Sequence, residues 1–497
     1  MFFTIPILVG IAAFIYYQIT PSILEPTLWN DPLPLLKFEG PTAVNTILSN
    51  AKKIGEGLHG PESMDFDFED GTAYVSFGDG CVRSFTKDGE LVEVVFFSGG
   101  YMSGYFPNGV GVDSEKLQSW CSMESSTGKL AWNTEGERLC GRPLGLRFRQ
   151  ENNTKYLYIL DAYHGLFKLN LNTLHTEHLI TPSTVILSHA HSATDPIALL
   201  PPLFYNDLDI SYNGMIVFTD SSYKYTRSQN RLELLDGSPR GRVFEYNPEK
   251  KELYVLLCGL YFPNGVQYLS PIIEKSYDTI LIPDNHGGES NKTHEEILKT
   301  HVIQNEIIIN ELTRFRVLKV NMIKTTKEGA HLTRSCSAHG SVYNALKHPY
   351  NHTGIEVFID NMPGLIDNVR LDILDITSSN SNTFSNTVET TTTTNSDTST
   401  TNTNTLKNSY YLYGLGSKAV APISLLHLTL QSDLLKHIIY KCLPMKLLEK
   451  LVPRYGLILI SNQKGEILHS LHDPSGKIAL ISQASRHPLT GDLWIGS

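Results

Sequence analysis

The sequence has 497 residues, and its 51 acidic and 41 basic side chains give a formal charge of −10. This acidic balance, with no basic arm and no zinc-finger spacing, excludes nucleic acid as the expected partner. A composition with 41% hydrophobic and 10% aromatic residues can bury a large core. An all-β propeller of this length can form a single domain.

The chain begins with an apolar segment, Phe2 to Tyr17, that carries no charge. Its length is at the lower limit for a membrane span. We predict that residues 1–20 form a signal-anchor; a cleaved signal peptide and a buried strand are the alternatives. Residues 21–55 are predicted to be a linker that leads into the propeller.

Six cysteines contain no Cys-x-x-Cys pair, so thioredoxin-type redox chemistry and structural zinc are not expected. Three sequons, at Asn152, Asn291 and Asn351, lie in polar, loop-like stretches. They predict N-glycosylation and therefore a secretory location.

From residue 56 to the end, short apolar strand cores recur along the chain. They are Ala73–Phe77, Tyr156–Leu160, Met215–Phe218, Thr279–Ile282, Tyr410–Tyr413 and Asp492–Ile495. Six recurrences predict an all-β, six-bladed propeller, since a single blade cannot bury both of its faces. Two stretches are set apart as insertions. The polar segment 286–311 predicts a loop or short helix, and the Thr/Ser/Asn-rich segment 377–405 predicts disorder, either O-glycosylated or unmodified.

The stretch from Phe204 to Gly265 shows one predicted blade in full. Two apolar runs flank Tyr212-Asn213-Gly214, which is typical of a hairpin turn, and two more flank Asn247-Pro248-Glu249-Lys250. We therefore predict four consecutive antiparallel strands, with polar residues at the ends of the strands.

The segment 424–454 has a helical pattern in an otherwise β-rich chain. Its apolar positions are Leu430, Leu434, Leu435, Ile438 and Ile439. Pro444 is expected to end or kink this helix, and Met445–Val452 to form a shorter second one. The pair predicts a helical cap on the propeller. A lid that contacts a membrane or gates a substrate is the alternative.

The ordered run FYNDLDIS, IVFTDSS, LLDGSPRGRVFEYNP and YFPNGV, between residues 204 and 266, resembles the strictosidine synthase-like family. Within that family it is most similar to the adipocyte plasma membrane-associated group, and it is distantly similar to the paraoxonases and gluconolactonases. The resemblance implies a six-bladed propeller on an uncleaved, single-pass anchor. The propeller would lie in the lumen of the endoplasmic reticulum or outside the cell.

The resemblance also implies a calcium site at the propeller axis. Its ligands would be Glu62, Asn206, Asn264, Asp367 and Asn368, which lie where inner strands are expected to begin. Two carboxylates and three carboxamides offer the hard oxygen ligands that Ca²⁺ prefers. The alternative is that these residues only form turns.

The resemblance further implies a disulfide between Cys121 and Cys140, before the CGRPLG segment; two reduced, packed thiols are the alternative. Paraoxonases use a catalytic histidine near the channel mouth, but the matching region here, Arg142 to Gly145, has none. His164 does not align with certainty, so no catalytic base is assigned. Strictosidine synthases use a glutamate on the last blade, where this chain has Ser482. Relatives continue for a strand or two past the segment that ends here at Gly496-Ser497.

Two functions remain open. The first is a membrane-anchored hydrolase in which Ca²⁺ polarises the carbonyl of a small ester or lactone. The second is a non-catalytic propeller, displayed on a membrane for adhesion or recognition. Strictosidine synthase activity is disfavoured because a serine cannot replace the glutamate as an acid–base group. Neither a specific substrate nor a protein partner can be assigned.

Overall fold

The structure is a computed structural model that describes residues 20–30, 32–103, 113–187, 197–269, 306–322, 354–374, 408–420, 424–444, 447 and 452–497. Most of the predicted anchor and the Thr/Ser/Asn-rich insertion lie outside these residues. Within the described ranges, no helix is long and apolar enough to span a membrane.

The described strands form an all-β propeller. Five sheets have four or five strands each, and a sixth has two. Sheet 1 contains β1 (Met64–Phe66), β2 (Ala73–Ser76), β3 (Cys81–Phe85) and β4 (Leu91–Phe97). Sheet 2 contains β5 (Pro143–Glu151), β6 (Thr154–Asp161), β7 (Gly165–Asn170) and β8 (Thr176–Ile180). Sheet 3 contains β10 (Tyr205–Ile210), β11 (Ile216–Asp220), β12 (Gly241–Asn247) and β13 (Glu252–Leu260), with β9 (Ile186–Leu187) parallel to β13 at its outer edge.

The second half of the chain continues the pattern. Sheet 4 contains β14 (Pro263–Tyr268), β15 (Glu306–Glu311), β16 (Arg316–Asn321) and β17 (Ile355–Ile359). Sheet 5 contains β18 (Gly364–Leu374), β19 (Asn408–Lys418), β20 (Gly456–Asn462) and β21 (Ile467–Asp473). Sheet 6 contains β22 (Gln483–Arg486) and β23 (Leu493–Gly496).

The remaining described elements are helices. The α-helices are α1 (Ser98–Ser103), α2 (Ser114–Ser126), α3 (Thr134–Cys140), α4 (Asn230–Asp236), α5 (Leu425–Leu430) and α6 (Asp433–Cys442). The 3₁₀ helices are Gly40–Thr42, Ile47–Asn50, Leu130–Trp132, Arg227–Gln229 and Leu312–Arg314.

Apart from β9, the strands of each of sheets 1 to 5 pair antiparallel in chain order, and the first of them contacts its counterpart in the next sheet. The first strands therefore surround the axis. The core lies between neighbouring sheets: Val217 and Leu257 of sheet 3, for example, pack in one cluster with Ile307 and Leu318 of sheet 4. Because each sheet is covered on both faces, even its central strands are almost wholly buried.

The predicted strand recurrence corresponds to the second strand of each blade. Five of the six predicted strand cores overlap β2, β6, β11, β19 and β23. The sixth, Thr279–Ile282, is outside the described residues. The second strand of sheet 4 is instead Glu306–Glu311, so assigning these residues to a polar insertion was wrong. Three consecutive isoleucines there favour a buried strand over a loop.

The predicted hairpin and blade between Phe204 and Gly265 are confirmed, with β10 to β13 paired in order. Among the described residues, sheets 1 to 5 are complete blades and sheet 6 has two strands, so the prediction of six blades is not confirmed. The first strand of sheet 6 nevertheless lies between sheets 5 and 1. The carbonyl of Ser482 accepts from the backbone N–H of Asn368, and Gln483 donates to the carbonyl of Met64 at 2.6 Å.

The helical cap differs in detail from its prediction. Leu430 ends α5, and Ser432 caps the start of α6 by accepting from the N–H of Leu435, so one predicted helix is two. Most of Met445–Val452 lies outside the described residues. In α6, Lys436 is buried, whereas the predicted core position Leu434 is exposed.

The disulfide between Cys121 and Cys140 is confirmed. It joins α2 to the end of α3 in a helical insertion that the sequence pattern did not reveal. Cys258 is also disulfide-bonded, a bond that was not predicted. Cys81 and Cys442 are free, and only Cys442 is exposed.

Replacing both Cys121 and Cys140 with serine is expected to lower the free energy of unfolding by about 3 kcal/mol, since the bond closes a loop between residues 19 apart in sequence. Urea denaturation of the oxidised proteins measures this loss. Cys442→Ser, which removes an exposed thiol, serves as the control and should leave the midpoint unchanged. An unchanged midpoint in the double variant would contradict a stabilising role for the disulfide.

Candidate site at the propeller axis

Three of the predicted ligand positions lie at β-bulges in the first strands of their sheets. The strand register shifts between Tyr205 and Leu208, between Pro263 and Val266, and between Ile366 and Val369. A bulge inserts unpaired residues and changes the direction of their side chains. The inserted residues are Asn206-Asp207, Asn264-Gly265 and Asp367-Asn368.

Contacts link these positions into one group. The Asn264 side chain is close enough to the Asp367 carboxylate to lower its pKa by hydrogen bonding. Asn206 donates from Nδ2 to Ser221 Oγ at 2.8 Å, and Ser221 donates to the carbonyl of Pro263, next to Asn264. The structure thus brings Asn206, Asn264 and the Asp367-Asn368 pair together.

Glycine in Phe262-Pro263-Asn264-Gly265 permits the close approach of two bulges. A Cβ atom on Gly265 would lie 2.6 Å from the backbone nitrogen of Val369 and 2.8 Å from the carbonyl oxygen of Asp367. Any side chain would push β18 away from β14. This explains why the sequence has Asn-Gly at this point.

Several amide atoms around Asp367 are buried without hydrogen-bond partners among the described residues. They are Asn264 Oδ1, Asn310 Oδ1, and Asn368 Oδ1 and Nδ2. A buried polar atom left unpaired costs about 1–3 kcal/mol, so such atoms usually contact an ion or ordered water. The three carboxamide oxygens are suited to a hard cation.

Asn310 was missed by the sequence interpretation. It lies on the second strand of sheet 4, directly after three isoleucines, and its Nδ2 donates to the carbonyl of Asp367 at 2.6 Å. Its only sequence signal is a polar residue at the end of an apolar strand.

Electrostatics favours positive charge beside Asp367. Burial raises the pKa of the Asp367 carboxyl well above its usual value, and the charges of Glu62 and Asp207 raise it further. The hydrogen bond from Asn264 and the charge of Arg227 act in the opposite direction. A bound cation would relieve this repulsion between carboxylates.

Glu62 fits the predicted set less well than the other positions do. Its Oε2 lies 2.7 Å from Nη2 of the buried Arg142, so its charge is already paired. No group of three or more His, Cys, Asp or Glu side chains suited to a metal occurs within the described ranges. The fit to a cation therefore rests on Asp367 and the carboxamides, with Glu62 available only if its ion pair opens.

Apolar side chains adjoin the polar group. Leu144, Phe204, Phe262 and Leu312 form one buried cluster, against which Tyr163, Leu234 and Leu365 pack. Phe204, Phe262 and Leu365 each stand two residues before a predicted ligand. Apolar and aromatic side chains therefore lie next to the amide and carboxylate oxygens of this group.

A second ion pair lies near the first. Arg227 donates to Glu137 at 2.8 Å, and Glu137 also accepts from the phenol of Tyr163. Burial would lower the pKa of Arg227, but the charges of Glu137 and Glu62 outweigh it and the pKa is raised. Arg227 therefore stays cationic close to Asp367.

Two residues that were considered for catalysis, His164 and Ser482, are hydrogen-bonded to backbone carbonyls. His164 is buried, and its Nε2 lies 2.8 Å from the carbonyl oxygen of Arg138 at the end of α3. The Ser482 hydroxyl donates to the carbonyl oxygen of Glu62 at 2.8 Å and holds sheet 6 to sheet 1. Neither atom is presented to a ligand as a free acid or base.

Of the predicted glycosylation sites, Asn152 is exposed in the turn between β5 and β6. Asn291 and Asn351 lie outside the described residues. Access for a glycan is therefore established at one position, while glycosylation itself stays a prediction.

Comparison with known proteins supports the resemblance read from the sequence. The strictosidine synthase family model matches residues 206–272, and the strictosidine synthase-like N-terminal model matches residues 40–84. The adipocyte plasma membrane-associated protein of Bos taurus is 28% identical over 499 residues, which is 100% of this chain and 86% of that protein. The strictosidine synthase-like 13 protein of Arabidopsis thaliana is 37% identical over 216 residues, 42% of this chain and 44% of that protein.

Solved structures with some similarity include two propeller proteins. A gluconolactonase from Xanthomonas campestris has a TM-score of 0.39 and 10% identity, covering 96% of this chain and 95% of its own. Regucalcin from Agrobacterium tumefaciens, described as calcium-binding, has a TM-score of 0.30 and 12% identity, covering 63% and 64%.

Proposed function

We propose that this chain, which is similar to the strictosidine synthase-like proteins, is a membrane-anchored propeller that binds Ca²⁺ at its axis and hydrolyses small esters or lactones. The observation that carries the proposal is the group of buried, unpartnered carboxamide oxygens around Asp367. Asp367, Asn368, Asn264 and Asn206 would hold the ion. Bound there, the ion would polarise the carbonyl of an ester or lactone.

The chain's own residues would bind and orient the substrate. The cluster around Phe204 and Phe262 favours an apolar or aromatic group, which it would desolvate. Arg142 and Arg227 carry positive charge near the carboxylates, where they can stabilise negative charge that develops on oxygen. His164 is not proposed as the catalytic base, because its Nε2 contacts the carbonyl oxygen of Arg138.

Metal content after purification and dialysis tests the ion site without a chosen substrate. The wild-type protein is expected to retain about one Ca²⁺ per chain and to hydrolyse phenyl acetate in a chelator-sensitive way. Asn264→Ala should lose the ion and at least about tenfold in rate, a difference of about 1.4 kcal/mol in activation free energy.

Asn213→Ala is the matched control, since Asn213 lies in the hairpin turn after β10, at the opposite end of that strand from Asn206. It should retain both the ion and the activity. Hydrolysis unaffected by chelator and by Asn264→Ala would refute the calcium mechanism.

The secretory and membrane parts of the proposal rest on separate features. The uncharged run from Phe2 to Tyr17 supports an anchor, and two disulfide-bonded positions, Cys121–Cys140 and Cys258, support an oxidising compartment. The exposed Asn152 sequon is consistent with this location. We place the propeller in the lumen of the endoplasmic reticulum or outside the cell, and we count sheet 6 as a short sixth blade.

A non-catalytic propeller is the second candidate. The ion pair between Glu62 and Arg142 favours it, because it already neutralises one of the predicted ligands. A protein that binds Ca²⁺ but shows no chelator-sensitive turnover of esters or lactones would support this candidate. Strictosidine synthase activity is disfavoured, since Ser482 is bound to the backbone of Glu62.

A further inference from the structure

Several apolar side chains of the helical cap are accessible to solvent. Helices α5 and α6 bury Leu430 and Ile439, but four other large apolar side chains remain accessible. Their exposed fractions are 48% for Leu425, 50% for Leu428, 60% for Leu434 and 38% for Ile438. We call these four residues the cap face.

Helix α6, which carries two residues of the cap face, is held to the rest of the protein by buried contacts. Lys436 is buried beneath α6, and its Nζ donates to the carbonyls of Thr27 and Asp236 at 2.9 and 3.0 Å. Ile439 packs in a cluster with Leu24 and Leu235. One side of α6 therefore packs against the protein, while Leu434 and Ile438 are exposed to solvent.

The residues that follow the predicted anchor also contact the helical cap. Residues 20–30 lie against the cap: Ser22 Oγ is 3.0 Å from His437 Nδ1, and the N–H of Trp29 donates to the carbonyl of Leu430. Only two residues separate Thr20 from the apolar run that ends at Tyr17. If that run is in a membrane, the cap is held close to the membrane surface.

The charge of the cap segment is opposite to that of the whole chain. Residues 424–454 carry a net charge of +3 in a chain of −10. Without Lys436, which is buried, the segment still has four basic residues (Lys441, Lys446, Lys450 and Arg454) against two acidic ones (Asp433 and Glu449). Helices that lie in a membrane interface combine exposed apolar side chains with Lys and Arg, which attract anionic lipid headgroups.

We propose that the cap face docks on an anionic lipid bilayer, so that the propeller lies with its cap against the membrane instead of swinging freely on its anchor. This proposal rests on the anchor in the proposed function, but not on the ion or the hydrolase. The occupant is the bilayer, because the cap combines apolar exposure, positive charge and the junction with the predicted anchor.

Cys442 provides a native reporter for the test. It is exposed at the end of α6 and follows Leu434 and Ile438 at a spacing of four residues, which places it on the same side of the helix. The full chain, labelled there with the fluorophore NBD, is reconstituted into phosphatidylcholine vesicles with and without phosphatidylserine. We expect a blue shift and about a twofold rise in emission with the anionic lipid, together with quenching by doxyl-labelled lipid.

The double variant Leu434→Asp/Ile438→Asp should abolish the shift while the chain still floats with the vesicles. Val92→Asp/Val94→Asp is the matched control, since these residues of β4 are 58% and 38% exposed and β4 shares no packing cluster with α5 or α6. It should leave the shift intact, and Cys442→Ser should remove the label.

Each other outcome would overturn the proposal in a distinguishable way. Flotation with unshifted NBD emission would contradict docking and leave the anchor intact. A chain that does not float would contradict the anchor as well. A shift that grows with protein concentration in the absence of lipid would assign the cap face to a second copy of the chain.

Discussion

Replacing Arg242 with methionine is expected to lower the free energy of unfolding by about 3–5 kcal/mol. Arg242 of β12 and Asp220 of β11 are both fully buried, and the guanidinium contacts one carboxylate oxygen from Nε at 2.9 Å and from Nη2 at 2.6 Å. The same guanidinium donates to the carbonyls of Ile197, Leu200 and Pro201. Methionine would leave a buried carboxylate and these carbonyls without partners. Urea denaturation measures the loss.

The cause of that loss can be isolated with a second change. Burial raises the pKa of Asp220, while Arg242 lowers it, so the carboxyl depends on its partner to stay ionised. Adding Asp220→Asn to Arg242→Met should recover part of the stability, because the amide leaves no buried charge. Lys251→Ala, at an exposed lysine, should have no effect. A loss below about 1 kcal/mol in Arg242→Met would show that the pair contributes little to stability.

Glu233→Gln is expected to make the protein more stable at pH 8, by up to about 4 kcal/mol. Glu233 of α4 is fully buried, and burial raises its pKa from 4.5 to about 8, a shift that Asp236 increases and a hydrogen bond from Ser222 opposes. Between these two pH values the folded state binds more protons than the unfolded state. Stability contributed by this group is therefore fully present below pH 4.5 and is lost as the pH rises through 8.

Urea midpoints at pH 4.5 and pH 8 test this linkage. The wild-type midpoint should fall between the two pH values by more than that of Glu233→Gln, which cannot ionise. Glu249→Gln, at an exposed turn glutamate, controls for the change in net charge. Identical pH profiles for the wild type and Glu233→Gln would refute the linkage.

Local signals were sufficient to predict much of the fold. Asn213-Gly214 between two apolar runs identified the first hairpin of sheet 3, and Pro248 identified the next turn. Four of the five described recurrences matched second strands that are largely buried and hence apolar, whereas β23 alternates between buried and partly exposed residues. The error at Glu306–Glu311 arose where charged residues on both sides concealed a short run of isoleucines.

Contacts between residues far apart in the sequence could not be predicted from such local signals. Nothing local distinguishes Lys436, which is buried on backbone carbonyls, from a solvent-facing helical lysine. The positions of Asn206, Asn264 and Asp367 followed from a family resemblance. The pairing of Glu62 with Arg142 joins residues 80 apart, so only the packed structure shows it.

The junction between sheets 6 and 1 has a consequence for the order of folding. It is made by side chains: Gln483 bonds Ser63 and the carbonyl of Met64, and residues 64 and 483 are 419 positions apart. Each complete blade, by contrast, is formed from consecutive strands and can assemble as it leaves the ribosome. The first blade therefore has one flank uncovered until β22 has been translated. Ring closure is thus a late step of biosynthesis, and the nascent protein depends on protection from aggregation until it occurs.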